Sequence, residues 1–287
     1  SNIVMEGEMG TNQSEAPNWN LNQDYGSLME TPNETTIRII NLNVDKFKID
    51  KITDYYEEKF FELCRKYDAD IVGMKEMGIN WSNTSRTNNW RARINGKFKQ
   101  SSTILAWNKE DKHMRSVYGG KGIITLNKYT NRIIEKEYDS EGLGRWCSIL
   151  LRGKENINTR IITTYAPFHN RNGEAIQSVM AQHRRYFQRQ SVNDVDPLER
   201  YWTDLKNYIK EKQEKQEKII LMGDFNLRPE EVSEKLSELD LLDAHRILHN
   251  ENDLPGTNSK STTNKKRIDS IWISKHLKPK VALRPLT

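Results

Sequence analysis

The chain has 287 residues, 35% hydrophobic and 30% charged, with 45 Lys and Arg against 40 Asp and Glu, a formal net charge of +5. With a pI near 9.0 and a mean hydropathy of -0.85, this allows one large core or two small ones under a highly charged surface, with a mild preference for polyanions. No apolar run is long enough to cross a membrane, no basic-then-apolar secretion signal opens the chain, and two distant cysteines, Cys64 and Cys147, exclude a disulfide framework or a zinc spacing. Buried free thiols in a reducing compartment, hence an intracellular, nuclear or cytoplasmic setting, are expected.

Residues 1–35 are rich in Asn, Glu, Ser, Thr and Gly without a sustained period, and read as a disordered leader preceding a domain over 36–287. The texture changes at Thr36, where Ile37 to Val44 is strand-like. Tyr56, Phe60, Phe61, Leu63, Cys64 and Tyr67 then form a helical stripe, and Asp70 to Met74 reads as a buried strand. Shorter strands are predicted over Thr103 to Trp107, Gly122 to Leu126, Trp146 to Leu151 and Arg160 to Tyr165. A charged helical excursion covers about 174–218, followed by the strand Ile219 to Leu221 and a helix near 229–239. A polar loop at 256–266 leads to the strand Ile268 to Ile273. Strand following strand in mid-chain argues against a doubly wound single sheet. It predicts two packed mixed β-sheets with outer helices, a four-layer α/β sandwich.

The most informative stretch is Met222-Gly223-Asp224-Phe225-Asn226-Leu227, directly after Ile219-Ile220-Leu221. Alternate residues of an extended segment point the same way, so Asp224 and Asn226 can converge on one small object. Asp accepts a proton and Asn orients a water, which hydrolysis of a phosphate ester requires. A turn with an Asx cap uses the same letters. Other polar clusters at strand ends are Asn43-Val44-Asp45, Lys75-Glu76-Met77, Tyr165-Ala166-Pro167 and Arg267-Ile268-Asp269.

Taken in order, these motifs resemble the endonuclease/exonuclease/phosphatase superfamily, which includes AP endonucleases, deoxyribonuclease I, retrotransposon endonuclease domains, inositol polyphosphate phosphatases and sphingomyelinases. The resemblance runs from about Thr36 to the C-terminus and includes Gly119-Gly120-Lys121-Gly122-Ile123. The stretch Glu141-Gly142-Leu143-Gly144-Arg145-Trp146, with Ile79-Asn80-Trp81, looks more like endonucleases of mobile elements than repair enzymes.

The resemblance implies a Mg²⁺-dependent phosphodiester hydrolase that nicks DNA, with Mn²⁺ as a substitute ion and RNA as a second substrate. Glu76, with Asn43 and Asp45, would hold the hard cation through oxygen. Asp224 would take the proton of the attacking water, Asn226 would orient that water, and Tyr165 would donate to a phosphate oxygen. Arg145 is a candidate for a phosphate contact or a place behind the site, and Thr262 for a phosphate or nucleic-acid contact. In the family the Asp matching Asp269 pairs with the histidine of a closing Ser-Asp-His motif. This chain shows no such motif, and His276 follows Ser274-Lys275. A domain cut short within a larger polypeptide, with weak cleavage of DNA, is therefore expected. The alternatives are a catalytically impaired nucleic-acid-binding or scaffold member, and an inositol-phosphate or lipid phosphodiesterase.

Other residues admit simpler readings. Trp81 and Trp90 could stack nucleobases, whereas Trp107 reads as core. The cations and aromatics from Arg86 to Lys99 fit a nucleic-acid contact loop and a solvated basic loop equally well. His245 and His249 are four apart on a possible helix and read as part of a surface network.

Overall fold

The computed structural model describes residues 2–8, 24–26, 37–43, 54–75, 77, 81–82, 84–110, 119–169, 178–192, 194–248, 269–275, 277 and 279–285. Two sheets face each other. The first runs in the order β2 (Asp24–Gly26), β13 (Pro279–Pro285), β1 (Asn2–Glu8), β3 (Ile37–Asn43), β4 (Ile71–Lys75), β6 (Lys121–Leu126), β5 (Ser101–Ala106). The second runs β11 (Leu241–Asp243), β12 (Asp269–Ser274), β10 (Lys218–Asp224), β9 (Thr159–Tyr165), β8 (Trp146–Leu151), β7 (Ile133–Tyr138). Both are mixed: β3 pairs with β4 in parallel and β4 with β6 antiparallel, while β9 and β10 are parallel between antiparallel neighbours.

Period-two alternation divides each strand between two cores. Ile39, Ile71, Ile104 and Ile123 of the first sheet meet Cys147, Ile149, Ile161, Ile220, Met222 and Ile271 of the second. The opposite face of the first sheet, with Ile40, Leu42, Val72 and Ile124, packs on Phe60, Phe61, Cys64, Trp81, Trp90 and Ile94. Most of these come from helices α1 (Asp54–Lys66) and α2 (Thr84–Lys97). The outer face of the second sheet, with Trp146, Ile162, Ile219, Leu221 and Trp272, packs on Tyr201, Trp202, Leu205, Ile209 and Val232. These belong to α4 (Pro197–Glu214) and α5 (Pro229–Lys235), with α3 (Val179–Arg189) alongside. The result is the four-layer sandwich. The sheets approach closely enough that a Cβ on Gly73 would sit 2.7 Å from Met222 Cε.

Several expectations change. Asn2–Glu8 and Asp24–Gly26 are strands, and β1 is internal to its sheet, hydrogen-bonded in parallel to both β3 and β13. The run Ile3-Val4-Met5 is a parallel-strand pattern, too short to stand out from polar flanks. The leader reading is corrected at these stretches. Within the excursion over 174–218 the described residues form two helices, Val179–Arg189 and Pro197–Glu214. The Arg86 to Lys99 segment is mostly helix α2, with Arg93 and Lys97 bound to Glu57 and Glu58 of α1. Trp81 and Trp90 are buried beneath it and cannot stack bases. His245 is buried in the short helix α6 (Ala244–Leu248), not on a surface; His249 lies outside the described residues. Both cysteines are buried and unbonded, and burial pushes each thiol up to about 12.

Candidate active site

One end of the layer between the sheets is polar. Continuing each inward-facing row in steps of two past its last apolar member reaches Asn41 and Asn43 on β3, Lys75 on β4 and Lys121 on β6. The same period reaches Tyr165 on β9, Asp224 on β10 and Asp269 on β12. Register aligns them. Asp224 is opposite Tyr165 on one side and Asp269 on the other, and Lys75 is opposite Asn43 and Lys121. All are buried except Tyr165, which is half-buried.

A hydrogen bond joins the sheets at this end. Asn43 Nδ2 donates to Asp224 Oδ2 at 3.0 Å, and the amide turns its carbonyl oxygen, an acceptor, the other way. The other carboxylate oxygen of Asp224 accepts the Asn226 backbone N–H at 3.1 Å, an Asx turn that places Asn226 at φ 52°. Asn tolerates that left-handed conformation better than most residues. Asn226 Nδ2 donates to the Ala166 carbonyl at 3.2 Å, and the Ala166 N–H donates to the Asp224 carbonyl at 2.9 Å. Asp224, Asn226 and the Tyr165-Ala166-Pro167 turn are thus one hydrogen-bonded unit.

Three polar members of this end were missed in the sequence. Asn41, two residues before Asn43, accepts a hydrogen bond from Lys75 Nζ, and its own Nδ2 is buried with no hydrogen-bond partner. Lys75 Nζ also lies 3.9 Å from Asp269 Oδ1. Lys121 donates to the Gly144 carbonyl and stands 6.0 Å from the Tyr165 ring centroid. The signal was available: a Lys ending an otherwise apolar strand run, and an Asn in period with another.

Of the two readings of Arg145, a phosphate contact or a place behind the site, its geometry fits the second. It is 1% exposed; Nε and Nη2 donate to the two Asp139 oxygens at 2.7 and 2.9 Å, and Nη1 to Asp204 at 2.8 Å. Burial alone would raise the Asp139 carboxyl, but the hydrogen bonds and charge of Arg145 hold it below the ordinary carboxylate range. The Arg145 carbonyl accepts from Tyr165 N–H at 3.3 Å and from Thr164 Oγ1 at 2.9 Å, so this ion pair supports the strand end that carries Tyr165.

Glu76, Asp45, Thr262 and His276 lie outside the described residues. Among the described residues no three His, Cys, Asp or Glu side chains gather to hold a metal. The donors at this end, Asn41, Asn43, Asp224 and Asp269, nonetheless offer oxygen and no sulfur or imidazole, which fits a hard cation such as Mg²⁺.

A family model described as the Endonuclease/Exonuclease/phosphatase family matches residues 19–287, and the chain belongs to that family. Enzymes of this family are hydrolytic nucleases and phosphatases that generally depend on a divalent metal. Among solved structures, the chain is similar to a 3′ phosphatase from Neisseria, NExo, bound to a product DNA hairpin, at 16% identity and a TM-score of 0.54 over 83% of this chain and 86% of that one. It is also similar to the Xenopus laevis APE2 catalytic domain (14%, 0.54, 83% and 82%) and an AP endonuclease from Archaeoglobus fulgidus (14%, 0.52, 82% and 86%). No curated protein matches the chain. Among the described residues no helix is long and apolar enough to cross a membrane.

Proposed function

We propose that the chain is a Mg²⁺-dependent phosphodiester hydrolase that nicks DNA, a mobile-element-type endonuclease domain working in the nucleus or cytoplasm. The observation that carries this reading is the convergence of Asn43, Tyr165, Asp224 and Asp269 at one end of the inter-sheet layer, with Asn226 bonded to the same unit.

Asp224 accepts the proton of the attacking water, and the Asn43 amide and the Asn226 N–H fix its carboxylate for that transfer. Asn226 keeps its side-chain oxygen available to orient the water, because its nitrogen is committed to Ala166. The Tyr165 hydroxyl donates to a non-bridging phosphate oxygen, and the buried Asn41 Nδ2 is a second donor in need of an acceptor. Glu76, Asn43 and Asp45 would hold a divalent cation, which would neutralise charge on the phosphate and on the leaving oxygen.

DNA as substrate is supported by the basic pI and by Phe168. Phe168 is 53% exposed directly after the buried Ala166-Pro167 turn, where a ring can stack a base. The mobile-element assignment rests on the Gly-Leu-Gly-Arg-Trp stretch. The test is nicking of supercoiled plasmid with Mg²⁺ against EDTA, by the wild-type chain and D224N. Mg²⁺-dependent nicking lost in D224N supports the reading. Equal nicking by D224N, or none by the wild type, refutes it.

A further inference from the structure

We propose that Lys75 is a positioning residue that sets how tightly the hydrolytic site holds its divalent cation: its buried ammonium is a fixed positive charge that keeps the cation weakly bound until a phosphate arrives. The proposal rests on the hydrolase reading above and adds a role for a residue that reading does not use.

Lys75 is 0% exposed, a rare state for lysine, because desolvating an ammonium is costly unless it is paired and hydrogen-bonded. Its head group donates to Asn41 Oδ1 and pairs with Asp269 Oδ1 at 3.9 Å. It stands opposite Asn43 in the β3–β4 register and is the residue just before Glu76 in the chain. The ammonium thus belongs to a residue paired with Asn43, one of the residues expected to bind metal, and next to Glu76 in the sequence. A purely structural lysine would not need that address; apolar residues of similar volume fill such positions at least as stably.

Charge counting gives the consequence. Among the described groups at this end, Asp224 and Asp269 are balanced by Lys75 and Lys121. The carboxylates of Glu76 and Asp45 would add negative charge for the cation, and the Lys75 ammonium weakens the attraction they exert on it. A phosphodiester brings further negative charge to the cation, so metal and substrate each tighten the binding of the other, as linkage requires. Lys75 also restrains Asp269 and Asn41, which is why an uncharged substitute would slow turnover while binding metal better.

The experiment measures Mn²⁺ binding to the full chain by electron paramagnetic resonance, and Mg²⁺ binding by calorimetry, for wild type, K75Q and K75R without nucleic acid. Thermal unfolding and plasmid nicking accompany them. K75Q is expected to bind both ions about tenfold more tightly than wild type while nicking more slowly, because one unit charge near a divalent ion has been removed. K75R keeps the charge and is expected to keep the wild-type affinity. Unchanged or weaker binding by folded K75Q overturns the proposal. If K75Q does not fold, the wild-type chain decides: Mn²⁺ binding must tighten when a phosphorothioate oligonucleotide is added, after subtraction of ion bound to the oligonucleotide alone, and no tightening overturns the proposal. Failure of the hydrolase reading looks different, since the wild type would then show no Mg²⁺-dependent nicking.

Discussion

The Asn43 side-chain amide on one sheet donates to Asp224 Oδ2 on the other at 3.0 Å, and both residues are buried. This hydrogen bond ties the two halves of the sandwich at the point where the proton-accepting carboxylate stands. D224N keeps the volume but removes the charge that accepts the proton. It is expected to lower the single-turnover nicking rate by about 10²–10⁴. The thermal midpoint should stay within a few degrees of wild type, as the Asn226 N–H can still donate to an amide oxygen. A D224N protein as active as wild type would remove Asp224 from the chemistry.

The Arg145–Asp139 pair makes the opposite prediction, loss of stability first. Removing one partner strands the other as a buried charge, a loss of about 3–5 kcal/mol. R145M is expected to lose that much in urea unfolding. R145M combined with D139L should recover part of it, since neither charge is then left alone. Recovery of nothing would mean that the carbonyl of residue 145, which receives Tyr165 N–H and Thr164 Oγ1, has itself moved.

Gly144 shows why this corner is sensitive. Its φ is +67°, and a Cβ there would lie 2.8 Å from Trp107 Cα and closer still to the Trp107 carbonyl. Its own carbonyl accepts from Lys121. G144A combines backbone strain with a clash against main chain that cannot rotate away. Its expected cost exceeds about 1–3 kcal/mol, read by urea unfolding. A variant as stable as wild type would show that the Trp107 segment can yield.

Much of the site was legible because strand ends announce themselves. Asp224, Asn226, Tyr165, Asn43 and Asp269 each follow or open an apolar run, and period two fixes the face they share. Lys75 was legible only as the neighbour of Glu76, because a buried ammonium depends on partners 34 residues away at Asn41 and on another sheet at Asp269. The sequence leaves Arg145 between a phosphate contact and a place behind the site for the same reason: its anchoring carboxylates, Asp139 and Asp204, carry no local signature. Strand β7, with Ile134, Glu135, Lys136 and Tyr138 exposed, lacks the apolar run that marked the internal strands. It is an edge strand protected by charge. The short β11 and β1 owe their place to pairing partners, which sequence periodicity does not report.

His183 on α3 gives a pH dependence with a definite sign. Burial, then the nearby charges of Arg145 and Lys121, push its imidazole down to about 3 from an ordinary value of 6.5, and its Nδ1 has no hydrogen-bond partner. Below pH 6.5 the unfolded chain takes up a proton that the folded chain refuses, so stability is fully present above that pH and is lost as pH falls toward 3. Asp70 works the other way: burial raises its carboxyl from 3.8 to about 6, so its contribution is lost as pH rises through that window. The two oppose each other near pH 5, and the wild-type curve alone cannot separate them. The difference between H183Q and wild type can, because lost packing and the lost Leu143 hydrogen bond count equally at every pH. Measured by urea unfolding, H183Q is expected to gain about 2 kcal/mol on wild type between pH 8 and pH 5. D70N should show the reverse, gaining on wild type as pH rises from 4 to 7. A difference for H183Q that stays flat with pH would mean that His183 takes up its proton in the folded protein, and that the layer between α3 and the site admits water.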